Sequence, residues 1–328
     1  MREFSKPRIV VSKCLGFEHC RYNGQIISCD IADELKGHVE FITVCPEVEI
    51  GLGVPRDPVR TVMKDDEWRL MQPATGEDHT ESMIDFIDGF LDLDQDVDGF
   101  ILKGSSPSCG IKDTKIYNKM EKAAPIDRDS GFFGKAVLEK FPHKAVESDG
   151  RLRNYQIREH YLTKIFTLAD FRDVKDGGNF GGLEDFHRRH GLLMRSYDKD
   201  MYEEMESLMN NDHENKDISS IYEEYEKKLY NLFKNHPPCE SKIEIMKEVF
   251  EDLSDDIGED EKGFFLETVE GYNEGKNSMD VPLSILITWL MRAGKKDVSE
   301  QSFFYPYPKE LVKLEDIKTC QTRDYWPF

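Results

Sequence analysis

Short β-branched apolar runs alternate with helical stretches over the first 150 residues of the chain. The runs are "RIVVS" (8–12), "VEFITV" (39–44), "VDGFIL" (97–102) and "KAVE" (144–147). Between them lie "CDIADELKG" (29–37), "TESMIDFIDGFLDL" (80–93) and "GFFGKAVLEKF" (131–141), where apolar residues recur at helical spacing. Alternation of this kind predicts an α/β fold with a mostly parallel sheet. Beyond about residue 155 the strand signals vanish. Ile218, Ile221, Tyr222, Tyr225, Leu229 and Leu232 recur at spacings of three and four, as do Met201, Met205 and Leu208. That is the stripe an amphipathic helix turns toward a core, so these methionines and tyrosines are assigned to packing. The expected architecture is an α/β N-terminal domain over 1–150, a connecting helical segment over 151–182 and an all-α C-terminal domain over 183–328. The acidic stretch "EDLSDDIGEDEKG" (251–263) reads as a solvated turn between helices.

Composition supports two packed interiors, since 328 residues with 38% hydrophobic content exceed the usual size of a single core. The start, "MREFSKPRIV", lacks a signal-peptide pattern, and the longest apolar run, Val281–Met291, is too short to span a bilayer. A cytoplasmic protein with no membrane partner is expected. Lys and Arg number 44 against 65 Asp and Glu, a net charge of −21, which opposes uniform attraction to nucleic acid. The charge is uneven: residues 101–160 hold 12 Lys/Arg against 8 Asp/Glu, whereas 201–300 hold 11 against 25. This basic zone, continued by Arg188, Arg189 and Arg195, is a candidate surface for an RNA backbone. Chance variation among solvated faces is the plainer alternative.

The chemistry is concentrated in cysteine. Seven cysteines, an odd number spread over the chain, suit free thiols or metal ligands better than a disulfide framework. Cys14, Cys45 and Cys109 each lie just past the end of a separate predicted strand. If those strands are parallel, the three thiols reach one sheet edge, the carboxyl edge where open α/β folds build their sites. Separations of 31 and 64 residues exclude a local CxxC knuckle but suit three converging loops. Three soft ligands favour an iron–sulfur cluster with one open iron, or zinc with His19 as a fourth ligand; zinc through Cys14, Cys20 and Cys29 matches no known zinc spacing. Ordinary buried thiols are the alternative without chemistry.

Five motifs in order, "SKCLG" (12–16) with "RYNG" (21–24), "VCPEVEIGLGVPR" (44–56), "QPATGEDHT" (72–80) and "FILKGSSPSCG" (100–110), resemble those of the thiouracil desulfidase (TudS) domain. The second half, with "RRHGLLMRSY" (188–197) and the segment from Val281 to Leu314, resembles the YbgA-type helical domain. The two are fused in the tRNA 4-thiouridine desulfidases (RudS). One departure is the helix reading "SKIEIMKEVF" (241–250), which lacks the Asn and His that family members tend to carry there.

The resemblance implies a 4Fe-4S cluster held by Cys14, Cys45 and Cys109, with one open iron to take the soft thiocarbonyl sulfur as a Lewis acid. It implies that Glu47 and Ser106 handle the substrate, Glu47 as proton acceptor and Ser106 as hydrogen-bond donor. Arg21, Tyr22, Asn23, Ser105 and Arg56 are candidate substrate contacts. Each has a plainer counterpart: Glu47 as a helix-start carboxylate, the serines and "YNG" as turn formers, and Arg56 in a surface ion pair. His187 and His190 are expected to contact RNA or pack the start of a helix. Cys20, Cys29, Cys239 and Cys320 receive no role. The expected activity is non-redox desulfuration of a thiolated pyrimidine, foremost 4-thiouridine in tRNA. Free thiouracil is the alternative substrate, and a cluster-bearing RNA-binding or redox protein is the alternative of another class.

Overall fold

A computed structural model describes residues 3–92, 96–120, 123–210 and 217–312. Lys6–Tyr161 forms one compact unit, and the chain from Leu162 onward, joined by the N-terminal residues up to Ser5, forms the other.

Among its described residues the first unit has nine strands: Arg8–Ser12 (β1), Glu40–Val44 (β2), Arg60–Lys64 (β3), Glu67–Gln72 (β4), Glu77–Asp78 (β5), Gly99–Leu102 (β6), Thr114–Tyr117 (β7), Asp127–Asp129 (β8) and Ala145–Ser148 (β9). Its helices are Asp30–Leu35 (α1), Pro46–Glu49 (α2), Thr80–Asp92 (α3) and Phe132–Lys140 (α4). β2, β1, β6 and β9 make an all-parallel four-stranded sheet in that order, with Val10 opposite both Ile42 and Phe100. Every residue of β6 and β9 is buried, as befits parallel strands covered on both faces; β6 accordingly reads as a continuous apolar run, while β9 also buries Glu147 and Ser148. From β1 the chain moves to one side, to β2, while β6 and β9 fill the other. The loops leaving β1 and β6 therefore part at a switch point, where α/β sheets open a crevice.

A second sheet, in the order β5-β4-β3-β7-β8 and of mixed direction, was not anticipated from the sequence. Its hairpin turns at Asp65 and Asp66, both at positive φ (52° and 62°), the conformation a two-residue hairpin turn demands. Burial along β3 and β4 is graded from one end to the other instead of alternating, so the period-two signature is weak.

The second unit is helical as expected: Tyr155–Gly177 (α5), which begins in the first unit, then Phe180–Tyr197 (α6), Lys199–Asn210 (α7), Ile218–Leu232 (α8), Cys239–Glu251 (α9), Glu259–Asn273 (α10), Asp280–Arg292 (α11) and Lys296–Ser299 (α12). Met205, Leu208, Ile221, Tyr222, Tyr225, Leu229 and Leu232 all lie in its core. Among the described residues no helix is long and apolar enough to cross a membrane. Cys14, Cys20, Cys29, Cys45 and Cys109 are free thiols. Cys239 is disulfide-bonded, which corrects the expectation that it would be free. Cys320 and the residues after Val312 lie outside the described residues.

Candidate active site

Three strand ends build the site. Past β1, Lys13 N–H donates to the Val44 carbonyl at 2.8 Å, and Ile27 N–H donates to the Cys14 carbonyl at 2.9 Å, so the Cys14 loop is pinned to its neighbour. Past β2, Cys45 is the extended residue before α2, with Pro46 at the first helical position, where a missing N–H is not felt. Past β6, Lys103 N–H donates to Ser12 Oγ at 2.9 Å and Gly104 N–H to Asp149 at 2.8 Å. Ser105 stands at φ 58°, a left-handed conformation costing a non-glycine residue about 1 kcal/mol. Its N–H and hydroxyl both donate to Asp113 Oδ2, at 2.7 and 3.2 Å. Ser106 Oγ accepts the N–H groups of Ser108 and Cys109, which folds the loop back so that the Cys109 thiol faces inward.

The same loop is backed by α4. Gly131 N–H donates to the Gly110 carbonyl and Gly134 N–H to the Ser108 carbonyl. A Cβ on Gly134 would stand 2.3 Å from the Gly110 carbonyl oxygen and 2.9 Å from that of Cys109. Alanine normally gains about 1 kcal/mol over glycine in a helix. Here the collision with backbone dominates, and Gly134→Ala is expected to destabilise by about 2 kcal/mol, lowering the melting temperature by about 5 °C. Gly150→Ala, with open space around its Cβ, is the control and should melt as the parent does in the same calorimetric scan.

One pocket is lined by Cys14, Cys45 and Cys109 together with Glu47, Arg21, Tyr22, Arg56, Ser105 and Ser106. Asn23 is absent from its wall: its side chain closes a turn on Gln25, with contacts of 2.8 and 3.1 Å. Arg56 is not in a surface pair. Its side chain is only 4% exposed and that of Glu47 13%. Nε and Nη2 donate to Glu47 Oε2 at 3.0 and 2.5 Å, and Nη1 donates to the carbonyls of Cys20 and Gly53 at 3.0 and 2.9 Å. The other Glu47 oxygen, Oε1, accepts the Ser108 hydroxyl at 3.0 Å. A buried, forked pair of this kind fixes one orientation more than it adds stability. It holds Glu47 on the pocket wall.

Sequence reasoning missed Cys20, Ser12, Ser108 and Lys103. Cys20, Ser12 and Lys103 line the pocket, and Ser108 touches Glu47. Ser12 was visible as a hydroxyl at a strand end two residues before Cys14, and Cys20 as a second thiol beside "RYNG"; neither spacing has a standard meaning.

The donor set suits a positively charged group of iron. Burial pushes the Cys109 thiol up to about 12, with Ser12 and Ser106 hydroxyls at its sulfur pulling the other way. Contact with Cys14 pushes Cys20 up to about 11, and contact with Cys20, then burial, pushes Cys45 higher still. Thiolates crowded and desolvated in this way need a cation to exist. Among the described residues no three His, Cys, Asp or Glu side chains converge as ligands of a single ion would. An iron–sulfur cluster would fit that arrangement, with Cys14, Cys45 and Cys109 as the residues that would hold it.

In the helical unit, Arg188, Arg189 and Arg195 each meet a carboxylate: Asp185, Asp170 and Glu248. The Arg188 side chain is 78% exposed. His187 stacks on Tyr202 and meets the Tyr225 hydroxyl at 3.0 Å; His190 lies between Asp170 and Ser302, at 2.8 Å from each. Both histidines pack the helix.

Residues 9–149 match the 2-thiouracil desulfurase family, and residues 192–308 match a protein family of unknown function, DUF1722. Uncharacterized protein YbbK of Bacillus subtilis (strain 168) is 33% identical over 109 residues, 31% of this chain and 72% of its own length. The solved structure of a 4Fe-4S-dependent thiouracil desulfidase, TudS, is similar at 28% identity over 45% of this chain and 94% of that one, with a TM-score of 0.36. With the motif loops at the carboxyl edge of its parallel sheet and the match over residues 9–149, the chain belongs to the 2-thiouracil desulfurase family and is a desulfidase.

Proposed function

We propose that this enzyme hydrolyses the thiocarbonyl of a thiolated pyrimidine, with 4-thiouridine in tRNA as substrate: water replaces sulfur on the ring carbon, uridine forms and hydrogen sulfide leaves, with no net electron transfer. The observation that carries this reading is the gathering of Cys14, Cys45 and Cys109 around one pocket with Glu47 on its wall. These three thiols would hold a 4Fe-4S cluster, which when bound supplies a soft Lewis acid for the thiocarbonyl sulfur.

The remaining work falls to the chain. Glu47 Oε1, steadied by the Ser108 hydroxyl, accepts a proton from the attacking water. Arg56 keeps that carboxylate in place by holding its other oxygen. Ser106 accepts two N–H groups, and its hydroxyl, which lies at the Cys109 sulfur, would turn to donate to the substrate. Arg21 and Tyr22, one cation over one ring at 5.4 Å, offer a face on which a pyrimidine can stack.

A free base needs only a pocket, and the fused helical unit favours a larger substrate; a base in tRNA must be extruded or loop-exposed to enter. Anaerobically reconstituted protein, given thiolated tRNA and thiouracil separately, is expected to remove the thiocarbonyl absorbance of the tRNA at lower substrate concentration. Arg188 is proposed as the leading phosphate contact, with Arg189 and Arg195 beside it, because a surface pair such as Arg188–Asp185 is weak and readily exchanged. Arg188→Ala should raise the tRNA concentration needed and leave thiouracil turnover intact. Unchanged tRNA use would remove RNA guidance through this arginine, and preference for free thiouracil would make the small base the substrate.

A further inference from the structure

Cys20 is a fourth thiol in the pocket, and the desulfuration just described leaves it without a task. It is 1% exposed, and its sulfur is in hydrogen-bonding contact with those of both Cys14 and Cys45. Its backbone is held as firmly as that of the other three: the Cys20 carbonyl accepts Arg56 Nη1 at 3.0 Å and lies 3.8 Å from the Cys45 sulfur. Cys29, also buried, is absent from the pocket wall and serves as a comparison.

A cubane cluster has four irons and the three strand-end cysteines satisfy three. The vacancy thus lies in a pocket that already contains a further thiol, positioned by the same arginine that positions Glu47. A tethered thiol competes at the high effective concentration of an intramolecular ligand, so it binds whenever no better sulfur donor is present. We propose that Cys20 is a removable cap, ligating the iron left open by Cys14, Cys45 and Cys109 in the resting enzyme and yielding it to the thiocarbonyl sulfur of the substrate; this rests on the cluster reading above. The exchange breaks one iron–thiolate bond and forms one iron–thiocarbonyl bond. The freed Cys20 thiolate takes one proton from solvent and returns it when the cap closes again, and no electron moves. The cap would protect the iron most exposed to loss while keeping it available to a soft ligand.

The test follows iron, not turnover. Full-length wild type, Cys20→Ala, Cys20→Ser and Cys29→Ala are reconstituted anaerobically and exposed to limiting ferricyanide. Iron per chain and the paramagnetic signal of a three-iron cluster are followed over time. Cys20→Ala is expected to bind cluster but to lose its fourth iron at least about tenfold faster than wild type, with Cys20→Ser between them and Cys29→Ala like wild type. Equal rates in wild type and Cys20→Ala overturn the cap. If Cys20→Ala melts like wild type yet binds no cluster, Cys20 is an obligate ligand and the cap is again overturned. Wild type that takes up no iron at all overturns the cluster reading itself and this inference with it.

Discussion

Cys109→Ala is expected to abolish iron binding. Of the three proposed ligands Cys109 is the most committed to its place: its thiol is buried, its N–H is tied to Ser106 Oγ at 3.1 Å and its loop is clamped by the start of α4. Removing the sulfur leaves two strand-end thiols and the exchangeable Cys20, too few fixed anchors, so the cluster is expected to be lost to chelators or solvent. Anaerobic wild type should contain about four irons per chain and absorb broadly toward the blue, and Cys109→Ala, like Cys14→Ala and Cys45→Ala, should fall to near zero in both. Zinc in place of iron on metal analysis would sink the cluster assignment. Cys29→Ala, outside the pocket, should keep its iron.

Glu47→Gln should separate holding a cluster from using it. The amide keeps the shape of the side chain but removes the proton acceptor, so turnover is expected to fall by about a hundredfold or more while iron content stays at the wild-type level. Arg56 loses a charged partner in this variant and keeps its bonds to the carbonyls of Cys20 and Gly53. The fold is therefore retained, as a thermal melt can verify. Full activity would reassign Glu47 to structure, and loss of iron would show that it acts through the cluster loops.

The parallel sheet and its thiols were legible because β1, β2 and β6 are short apolar runs and a cysteine lies in the loop past each, next to β2, two residues past β1 and seven past β6. Val10, Phe100 and Val146 announce their strands without context. The pocket wall was not legible, since its members meet across loops whose paths no local pattern encodes. Arg56 looks like a surface residue until the chain folds it onto Glu47 and Cys20, and Cys20 looks idle until its loop passes between Cys14 and Cys45. The hairpin at Asp65–Asp66 was hidden for another reason: its strands are buried at one end and exposed at the other, which erases alternation.

The cysteine loops are stitched to one another by main-chain bonds, Lys13 to Val44 and Ile27 to Cys14, and by Lys103 N–H to Ser12 Oγ. None of these bonds involves a sulfur. A zinc finger unfolds when its metal leaves, because the metal is the fold. With its loops held by main-chain bonds, this chain is expected to melt at much the same temperature with and without iron, so losing the proposed cluster to oxygen would empty a site and leave the fold standing. Such a site could be refilled with iron and sulfide and would not call for a new protein.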